Sequence, residues 1–414
     1  MLVNSDNNRF TVFEHESLYL HKGDRKLTIE HLKALQLFYK EKDFPYYSLV
    51  HNGVRFCEYV GVICVGKLTI EVLPKADKSN NQVRWKRILI DMMRSIGLFS
   101  PEAPSYSDLR LKNSSILELY LELFIVEMEL LIHKGLIKKY RSKEVNRYAL
   151  RGKLLVGKQI ILNHVHQERF YIKQAVYDKE HLLHQLLYKA LITVMKIGLD
   201  NSLSSRYSKV TLDFPEQCDV KITESLFEML IYDRKSHRYQ KAIDLAKIIL
   251  LNFHPDLSKG KSHVLALMFD MNDLWEKFVL KSLQAFGKEY LVTGQDSSDF
   301  WSWGNRSART IRPDIVIKKD DKILAVLDTK WKNIKNFQPT DDDLRQLYTY
   351  SRYNDNAASF LVYPGESTDG IHGRYHKTEH EIFETTGGVI VLKVDNGKRA
   401  GQSKLCNEVF KILT

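Results

Sequence analysis

The chain has 414 residues and 44% of them are hydrophobic, which is ordinary for a soluble globular protein and predicts two or three domains with their own cores. The formal charge of +11 is spread along the chain, so it favours a folded basic surface, and a nucleic-acid partner, over a disordered basic arm. Cys57, Cys64, Cys218 and Cys406 form no C-x-x-C pair or zinc spacing, no apolar run approaches the roughly 20 residues that span a bilayer, and Met1 to Arg9 carries no signal-peptide core, which together predict a cytoplasmic protein with no membrane contact.

From Phe10 to Pro74 the pattern is strand-like, with strands expected at Tyr46–Val50, Arg55–Cys64 and Lys67–Leu73. Asn52-Gly53 and Gly66 mark the turns between them. A short helix is expected over His31–Lys40, with Leu32, Leu35 and Phe38 at helical spacing. After the polar stretch Ala76–Asn81 the period changes, and Val83–Ile96 and Ser115–Lys134 read as helices. Arg141–Leu162 returns to strand and turn, with Arg151-Gly152-Lys153 at a turn, Asp178–Ile197 reads as a long helix, and Glu224–Leu251 is mostly helical. Asn252–Ser262 holds Pro255 and Gly260 and makes the best domain boundary. Beyond it come a helix (Asn272–Phe286), strands at Arg312–Lys318 and Lys322–Thr329, a helix (Asp342–Tyr353), and strands at Ala358–Tyr363 and Val389–Val394. The expected fold class is α+β and α/β multidomain: a β-rich domain over 1–105, a mainly helical middle domain over 106–258 and an α/β domain over 259–414.

The chemistry lies in Arg312-Pro313-Asp314-Ile315-Val316-Ile317 and Leu324-Ala325-Val326-Leu327-Asp328-Thr329-Lys330, which together read P-D-x13-D-x-K. A tight turn at Lys319–Asp321 makes the two apolar strands a hairpin, so Asp314 and Asp328 converge at one edge. Asp328 and Lys330, two apart on a strand, face the same side. Two such carboxylates, with the Thr329 carbonyl between them, suit a hard divalent cation such as Mg²⁺, and Lys330 can position a water or neutralise charge on a phosphate. An isolated D-x-K is usually a solvated hairpin end; here each Asp bounds an apolar strand. Gln346 shares a helix face with Tyr350 and is placed to hold Lys330 or the attacking water, with a surface glutamine as the plain alternative. Glu276, on the preceding helix, is either a further carboxylate of the site or an ordinary helical glutamate beside Lys277.

Together these residues resemble the PD-(D/E)xK nuclease superfamily and, more narrowly, the McrC family, the nuclease subunits of McrBC-type modification-dependent restriction systems. Further segments carry the likeness: Thr69-Ile70-Glu71-Val72-Leu73-Pro74-Lys75, Leu150-Arg151-Gly152-Lys153-Leu154 with Tyr177-Asp178, and Phe269-Asp270-Met271-Asn272-Asp273-Leu274-Trp275-Glu276-Lys277-Phe278. It spans roughly residues 50 to 365, and the first 45 and last 40 residues match least. The resemblance implies a restriction-endonuclease-like C-terminal domain. The residues that carry it supply the metal candidates, Asp314, Asp328 and Thr329, and the catalytic ones, Asp314, Asp328, Lys330, Gln346 and Glu276. It also implies a partner, a McrB-like AAA+ motor that hydrolyses GTP or ATP, with modified double-stranded DNA as substrate. Gly260-Lys261-Ser262 looks like the end of a phosphate-binding loop, but Pro255 stands where its first glycine belongs, so NTP hydrolysis is expected on another chain.

Arg306, Arg309 and Arg312 precede Asp314 closely and are candidates for DNA-backbone contact, or else line a solvated loop. Trp301 and Trp303 either stack bases or pack a loop, and His164-x-His166 has no third metal ligand nearby. Two other readings stay open: a non-catalytic adaptor with a decayed nuclease fold, and a stand-alone repair nuclease. The intact Asp314, Asp328 and Lys330 set disfavours the first, and the large region before the nuclease hairpin disfavours the second.

Overall fold

A computed structural model of the chain describes residues 8–23, 26–41, 45–66, 68–76, 81–97, 116–197, 201–254, 264–286, 289–303, 309–320, 322–334, 337–376, 381–394, 406–407 and 409–412. Two compact units form, one from residues 1–116 with 268–414 and one from residues 117–267.

The first unit opens with β1 (Arg9–Phe13), β2 (Ser17–Tyr19), α1 (Ile29–Glu41), β3 (Tyr47–Val50), β4 (Gly53–Phe56), β5 (Tyr59–Val65), β6 (Leu68–Leu73) and α2 (Gln82–Ser95). β1 pairs parallel with β6, and β6 antiparallel with β5. The small sheet β2-β4-β3 turns at Asn52-Gly53, where a Cβ on Gly53 would stand 2.3 Å from the Leu18 carbonyl oxygen, so only glycine fits. The single strand expected over Arg55–Cys64 is two, β4 and β5. The chain breaks at Cys57, whose N–H bonds the Tyr46 carbonyl. α2 packs on β6, where Lys86 Nζ pairs with Glu71 at 3.0 Å, and its Trp85, Leu89 and Met93 are buried.

The second unit holds most of α3 (Ile116–His133), then β7 (Lys139–Arg147), β8 (Lys153–Leu154), α4 (Val156–Leu162), β9 (Phe170–Asp178), α5 (Leu182–Ile197), α6 (Asn201–Asp213), α7 (Glu224–Glu228), α8 (Gln240–Leu251), β10 (Phe253–His254) and the start of β11 (Val264–Asp270). Its core is helical, with Tyr120, Phe124, Leu187 and Tyr239 fully buried. β7 and β9 form a nine-residue antiparallel ladder. Two expectations are corrected here. Val156–Leu162, read as strand, is the helix α4, none of whose residues is buried, so its branched residues answer to no sheet. The helix expected from Asp178 starts at Leu182, because Tyr177 and Asp178 complete β9. The linker at 255–263, with Gly260-Lys261-Ser262, lies outside the described residues, as do positions 77–80.

β11 starts beside β10 in the second unit and ends in the first, in the sheet order β1-β6-β5-β11. The chain continues as α9 (Met271–Phe286), β12 (Leu291–Gly294), β13 (Ser298–Trp301), β14 (Arg309–Ile311), β15 (Ile315–Lys319), β16 (Lys322–Thr329), α10 (Asp341–Tyr353), β17 (Ala358–Gly365), β18 (Asp369–His376) and β19 (Ile382–Lys393). A six-stranded sheet runs β12-β15-β16-β17-β19-β18. β16, β17 and β19 are parallel, with α10 as the crossover between the first two. The central strands read as continuous apolar runs because both faces are covered. Thr340 caps α10 by accepting from the Asp343 N–H, and Asp341, Asp342 and Asp343 sit at the positive end of its dipole.

The grouping differs from three consecutive domains over 1–105, 106–258 and 259–414. The first and last of those segments share one unit, since β11 lies beside β5 and the Met271 N–H bonds the Glu58 carbonyl. Among the described residues no helix is long and apolar enough to cross a membrane.

Candidate active site

The hairpin β15–β16 sets the geometry. Its antiparallel register pairs Ile315 with Leu327, so Asp314, one residue earlier, lies beside Asp328, one residue later. The Thr329 N–H and hydroxyl both donate to Asp314 Oδ2, at 2.7 and 2.9 Å. Asp328 is 1% exposed on the buried strand β16. Lys330 Nζ stands 2.8 Å from Asp328 Oδ2 as an ion pair, but that oxygen has no hydrogen bond of good geometry. Burial, then the neighbouring Asp314, push the Asp328 carboxyl up to about 6 against the pull of Lys330. Burial works against the Lys330 ammonium, yet Asp328 and then Asp314 outweigh it and hold its pKa above the ordinary lysine value.

Lys330 is fixed from both ends. Its N–H bonds the Val362 carbonyl on β17 at 3.0 Å. Its ammonium donates to Gln346 Oε1 at 3.2 Å. Gln346 Nε2 donates to the Tyr350 hydroxyl at 2.8 Å, and that hydroxyl donates to the Arg312 carbonyl at 3.1 Å. This relay sets which end of the Gln346 amide faces the lysine. Gln346 and Tyr350 share a face of α10, as their spacing of four predicts.

Glu276, on α9, completes the cluster. Burial first, and the negative charge of Asp314 second, raise its carboxyl to about 7. Gln295 ties the two acids together: its Nε2 donates to Glu276 Oε1 at 3.0 Å and its backbone N–H to the Asp314 carbonyl at 2.9 Å. Gln295 does so with φ of 52°, in the left-handed region that non-glycine residues seldom adopt.

A family model described as "McrBC 5-methylcytosine restriction system component" matches residues 54–364. The chain belongs to that family. Among solved structures it is similar to a chain of the refined half-complex from a tetradecameric assembly of Thermococcus gammatolerans McrB AAA+ hexamers with bound McrC. The TM-score is 0.70 at 19% identity, covering 97% of this chain and 100% of that one. A second similarity is to the Thermococcus gammatolerans McrBC complex by cryo-EM, with TM-score 0.48, 19% identity, and coverage of 67% and 87%. No curated protein matches the chain.

In this McrBC component, Asp314, Asp328, Thr329, Lys330, Gln346 and Glu276 are thus brought to one site. Arg312 is exposed and draws the Glu276 pKa down, while Arg309, also exposed, pairs with Trp301 across β14 and β13. Arg306 lies outside the described residues. Trp301 is 60% and Trp303 63% exposed, on and just after β13. His164 and His166 are in the other unit, where exposed His166 sits beside Glu168. Sequence reasoning missed Gln295, Asn272, Asp343 and Trp331. Asp343 is buried on α10, bonded to Lys332 and accepting from the Tyr363 hydroxyl at 3.2 Å. Asn272 stands in a segment already singled out for its family likeness, but its contact is with the backbone of Trp331, which no local pattern encodes.

Proposed function

We propose that the chain is the Mg²⁺-dependent DNA endonuclease subunit of a McrBC-type restriction complex. Its C-terminal part, on this reading, is a PD-(D/E)xK restriction-endonuclease-like domain. One observation supports it above the rest: the P-D-x13-D-x-K residues meet at one strand edge, where the buried Asp328 stands beside Asp314 with Lys330 as its paired cation. Two carboxylates held side by side with one lysine repel each other, and a divalent cation between them relieves that repulsion.

The donor set fits Mg²⁺. Among the described residues no group of three or more His, Cys, Asp or Glu side chains gathers as a metal cage. Mg²⁺ rarely uses one, being held by one or two carboxylates and keeping several waters. Asp314, Asp328 and the Thr329 carbonyl would hold it. When bound, it supplies Lewis acidity toward the phosphate and a lowered pKa for water. The protein's own groups do the rest. Lys330, aimed by Gln346, places a positive charge where the phosphate gains negative charge. Glu276, whose carboxyl exchanges its proton near neutral pH, relays a proton at its Oε atoms. Arg309 and Arg312, with Arg306, hold the DNA backbone by phosphate contacts that fix register and carry no sequence information.

The partner on this reading is a McrB-type AAA+ hexamer whose GTP or ATP hydrolysis the chain stimulates, docked through the residues before about 258. The family description and the McrB-bound neighbour support it, and the 5-methylcytosine in that description favours modified DNA as the substrate. The test is cleavage of methylated and unmethylated plasmid by the chain alone, then with the AAA+ partner, Mg²⁺ and GTP or ATP. Cleavage that needs partner, nucleotide and modification, and that Asp328→Ala abolishes, is the expected result. Undiminished cleavage by Asp328→Ala would refute the nuclease assignment, and vigorous cleavage by the chain alone would favour a stand-alone enzyme.

A further inference from the structure

One buried acid in the first unit has no part in the chemistry above. Glu14 follows β1, 5% exposed. Its Oε1 accepts from the Trp331 indole N–H at 2.7 Å and from the Lys75 backbone N–H at 2.7 Å, while Oε2 has no hydrogen bond. Trp331 is the residue directly after Lys330. A carboxylate is an expensive way to fill a core, since an apolar residue there needs no desolvation.

The segment after Lys330 is clamped at every residue. The Trp331 N–H donates to Asn272 Oδ1 at 3.2 Å, and its ring lies edge-on to Trp275 and Trp85, with centroids 5.5 and 6.5 Å away. Lys332 bonds Asp343, and Asn333 Nδ2 reaches the Lys75 carbonyl at 3.5 Å. On the other side, the Val362 carbonyl that accepts from the Lys330 N–H also accepts from the Trp275 indole at 3.2 Å. Of these clamps, Glu14 and Lys75 come from the N-terminal sheet, 317 residues from Trp331 in the case of Glu14. The Leu73-Pro74-Lys75 stretch, singled out by its family likeness, therefore has a physical task here.

We infer that Glu14 is a positioning residue for Lys330: by accepting from the Trp331 indole while held by the Lys75 N–H, it fixes the end of β16 and so the height of the lysine in the site. The N-terminal sheet is thereby part of the nuclease scaffold as well as a neighbour of it. The inference rests on the nuclease reading. The chemistry needs an acceptor at Oε1, not a negative charge. Burial pushes the Glu14 carboxyl up to about 7, so a neutral side chain is close to what the site already tolerates. Displacing a catalytic group by an ångström from a distant contact costs up to about 100-fold in rate.

The test uses the full chain assembled with its AAA+ partner, Mg²⁺, nucleotide and methylated plasmid, with Glu14→Ala, Glu14→Gln and Trp331→Phe. Glu14→Ala should slow single-turnover cleavage about 10- to 100-fold, leaving half-saturation by DNA and stimulation of the partner's NTPase unchanged. Glu14→Gln, which keeps the acceptor, should restore the rate. Trp331→Phe, which keeps most of the ring but loses the N–H, should copy Glu14→Ala, and decides the matter if Glu14→Ala does not fold. A fluorine resonance of 5-fluorotryptophan at Trp331 should shift in Glu14→Ala and not in Glu14→Gln. Full-rate cleavage by Glu14→Ala or Trp331→Phe overturns the inference. So does a Gln variant as slow as Ala, or a parallel loss of NTPase stimulation, which marks a merely structural role. Asp328→Ala, run alongside, separates the two readings: if it still cleaves, the nuclease reading fails, while the fluorine shift still reports on the Glu14–Trp331 bond.

Discussion

Each unit carries an acid–base cluster, and the two are built on opposite plans. In the second unit, Arg141 on β7 meets Asp178 on β9 through three hydrogen bonds of 3.0 to 3.1 Å and reaches Glu180 as well. The Glu180 N–H caps Asp178 Oδ1 at 3.0 Å. The Arg141 hydrogen bonds hold the Asp178 carboxyl below the usual carboxylate range. In the first unit, Asp328 is almost wholly buried beside another acid, has a single lysine for company, and is raised to about 6. A cluster that serves the fold satisfies its charges at a half-open surface. The other keeps two neighbouring carboxylates beside one lysine in a buried place, an arrangement that fits the proposed cation and phosphate site.

The sharpest way to break the contrast is to neutralise the short-handed acid. Asp328→Asn, or Asp314→Asn, should lower cleavage by about 1000-fold or more, the scale of losing a preorganised electrostatic group. Thermal unfolding of the Asp328→Asn chain without metal should shift little, because relief of the Asp314–Asp328 repulsion offsets the lost Lys330 ion pair. A large drop in Tm with cleavage retained would move Asp328 into the same class as Asp178.

The two clusters should also answer oppositely to pH. Asp328 and Glu276 have folded values of about 6 and 7, above their ordinary 3.8 and 4.5. The folded chain keeps these protons where the unfolded chain has lost them. The metal-free protein therefore loses stability as pH rises from about 4 to 7, and stays level above that. Asp178 is depressed, so what it contributes is present above its ordinary value of 3.8 and lost as pH falls below it. Mg²⁺ competes with the proton on Asp328, so its stabilisation should grow between about pH 5 and 7, up to about 2.7 kcal/mol at a hundredfold excess over Kd. Unfolding temperature against pH, with and without Mg²⁺, checks this. A Mg²⁺ effect that is the same at both ends of the range, or that survives in Asp328→Asn, would count against the assignment.

Much of the site was legible because it is local. The hairpin, the two-residue spacing of Asp328 and Lys330, and the four-residue spacing of Gln346 and Tyr350 are all short-range patterns, and the structure brings these residues together as those periods require. α9 and α10 were placed to within a residue at their starts for the same reason. What escaped depends on long-range contact. Glu14 and Trp331 meet across 317 positions, and Gln295 owes its place to a backbone bond with Asp314. α4 was misread because Val156, Ile160 and Ile161 favour strands, while nothing in the described chain buries them. The joining of both ends of the chain in one unit follows from the position of β11 beside β5, and pairing partners are not written into a strand's own residues.

A smaller effect is expected from backbone geometry in the second unit. Gly152, in the Arg151-Gly152-Lys153 turn, has φ of 120°, and a Cβ there would stand 2.5 Å from the Lys173 carbonyl oxygen. Gly152→Ala should cost about 1–3 kcal/mol, read by denaturant unfolding. The Mg²⁺-induced rise in Tm, which reports on the other unit, should not change. A lost Mg²⁺ effect would mean that the two clusters are not independent.

The smallest effect belongs to a surface charge in the satisfied class. Arg206 on α6 donates to Glu129 from Nε and a terminal nitrogen at 3.0 and 2.6 Å and lies 3.5 Å from Glu122, with 37% of its side chain exposed. Pairs this open to water are worth about 0.2–1 kcal/mol, so Arg206→Ala should cost no more than about 1 kcal/mol, and less in 1 M salt, where screening acts within about 3 Å. The loss has a pH signature. Burial already raises the Glu122 carboxyl, and Arg206 opposes that rise. Without the guanidinium, Glu122 is driven further up, and protonation relieves it at low pH. The penalty of the substitution should therefore be larger at pH 8 than near pH 5, and cleavage in the assembled complex should stay at the level of the unaltered chain. Should Arg206→Ala instead cost as much as Gly152→Ala, or slow cleavage, the division between charges that hold the fold and charges that do chemistry would have to be redrawn.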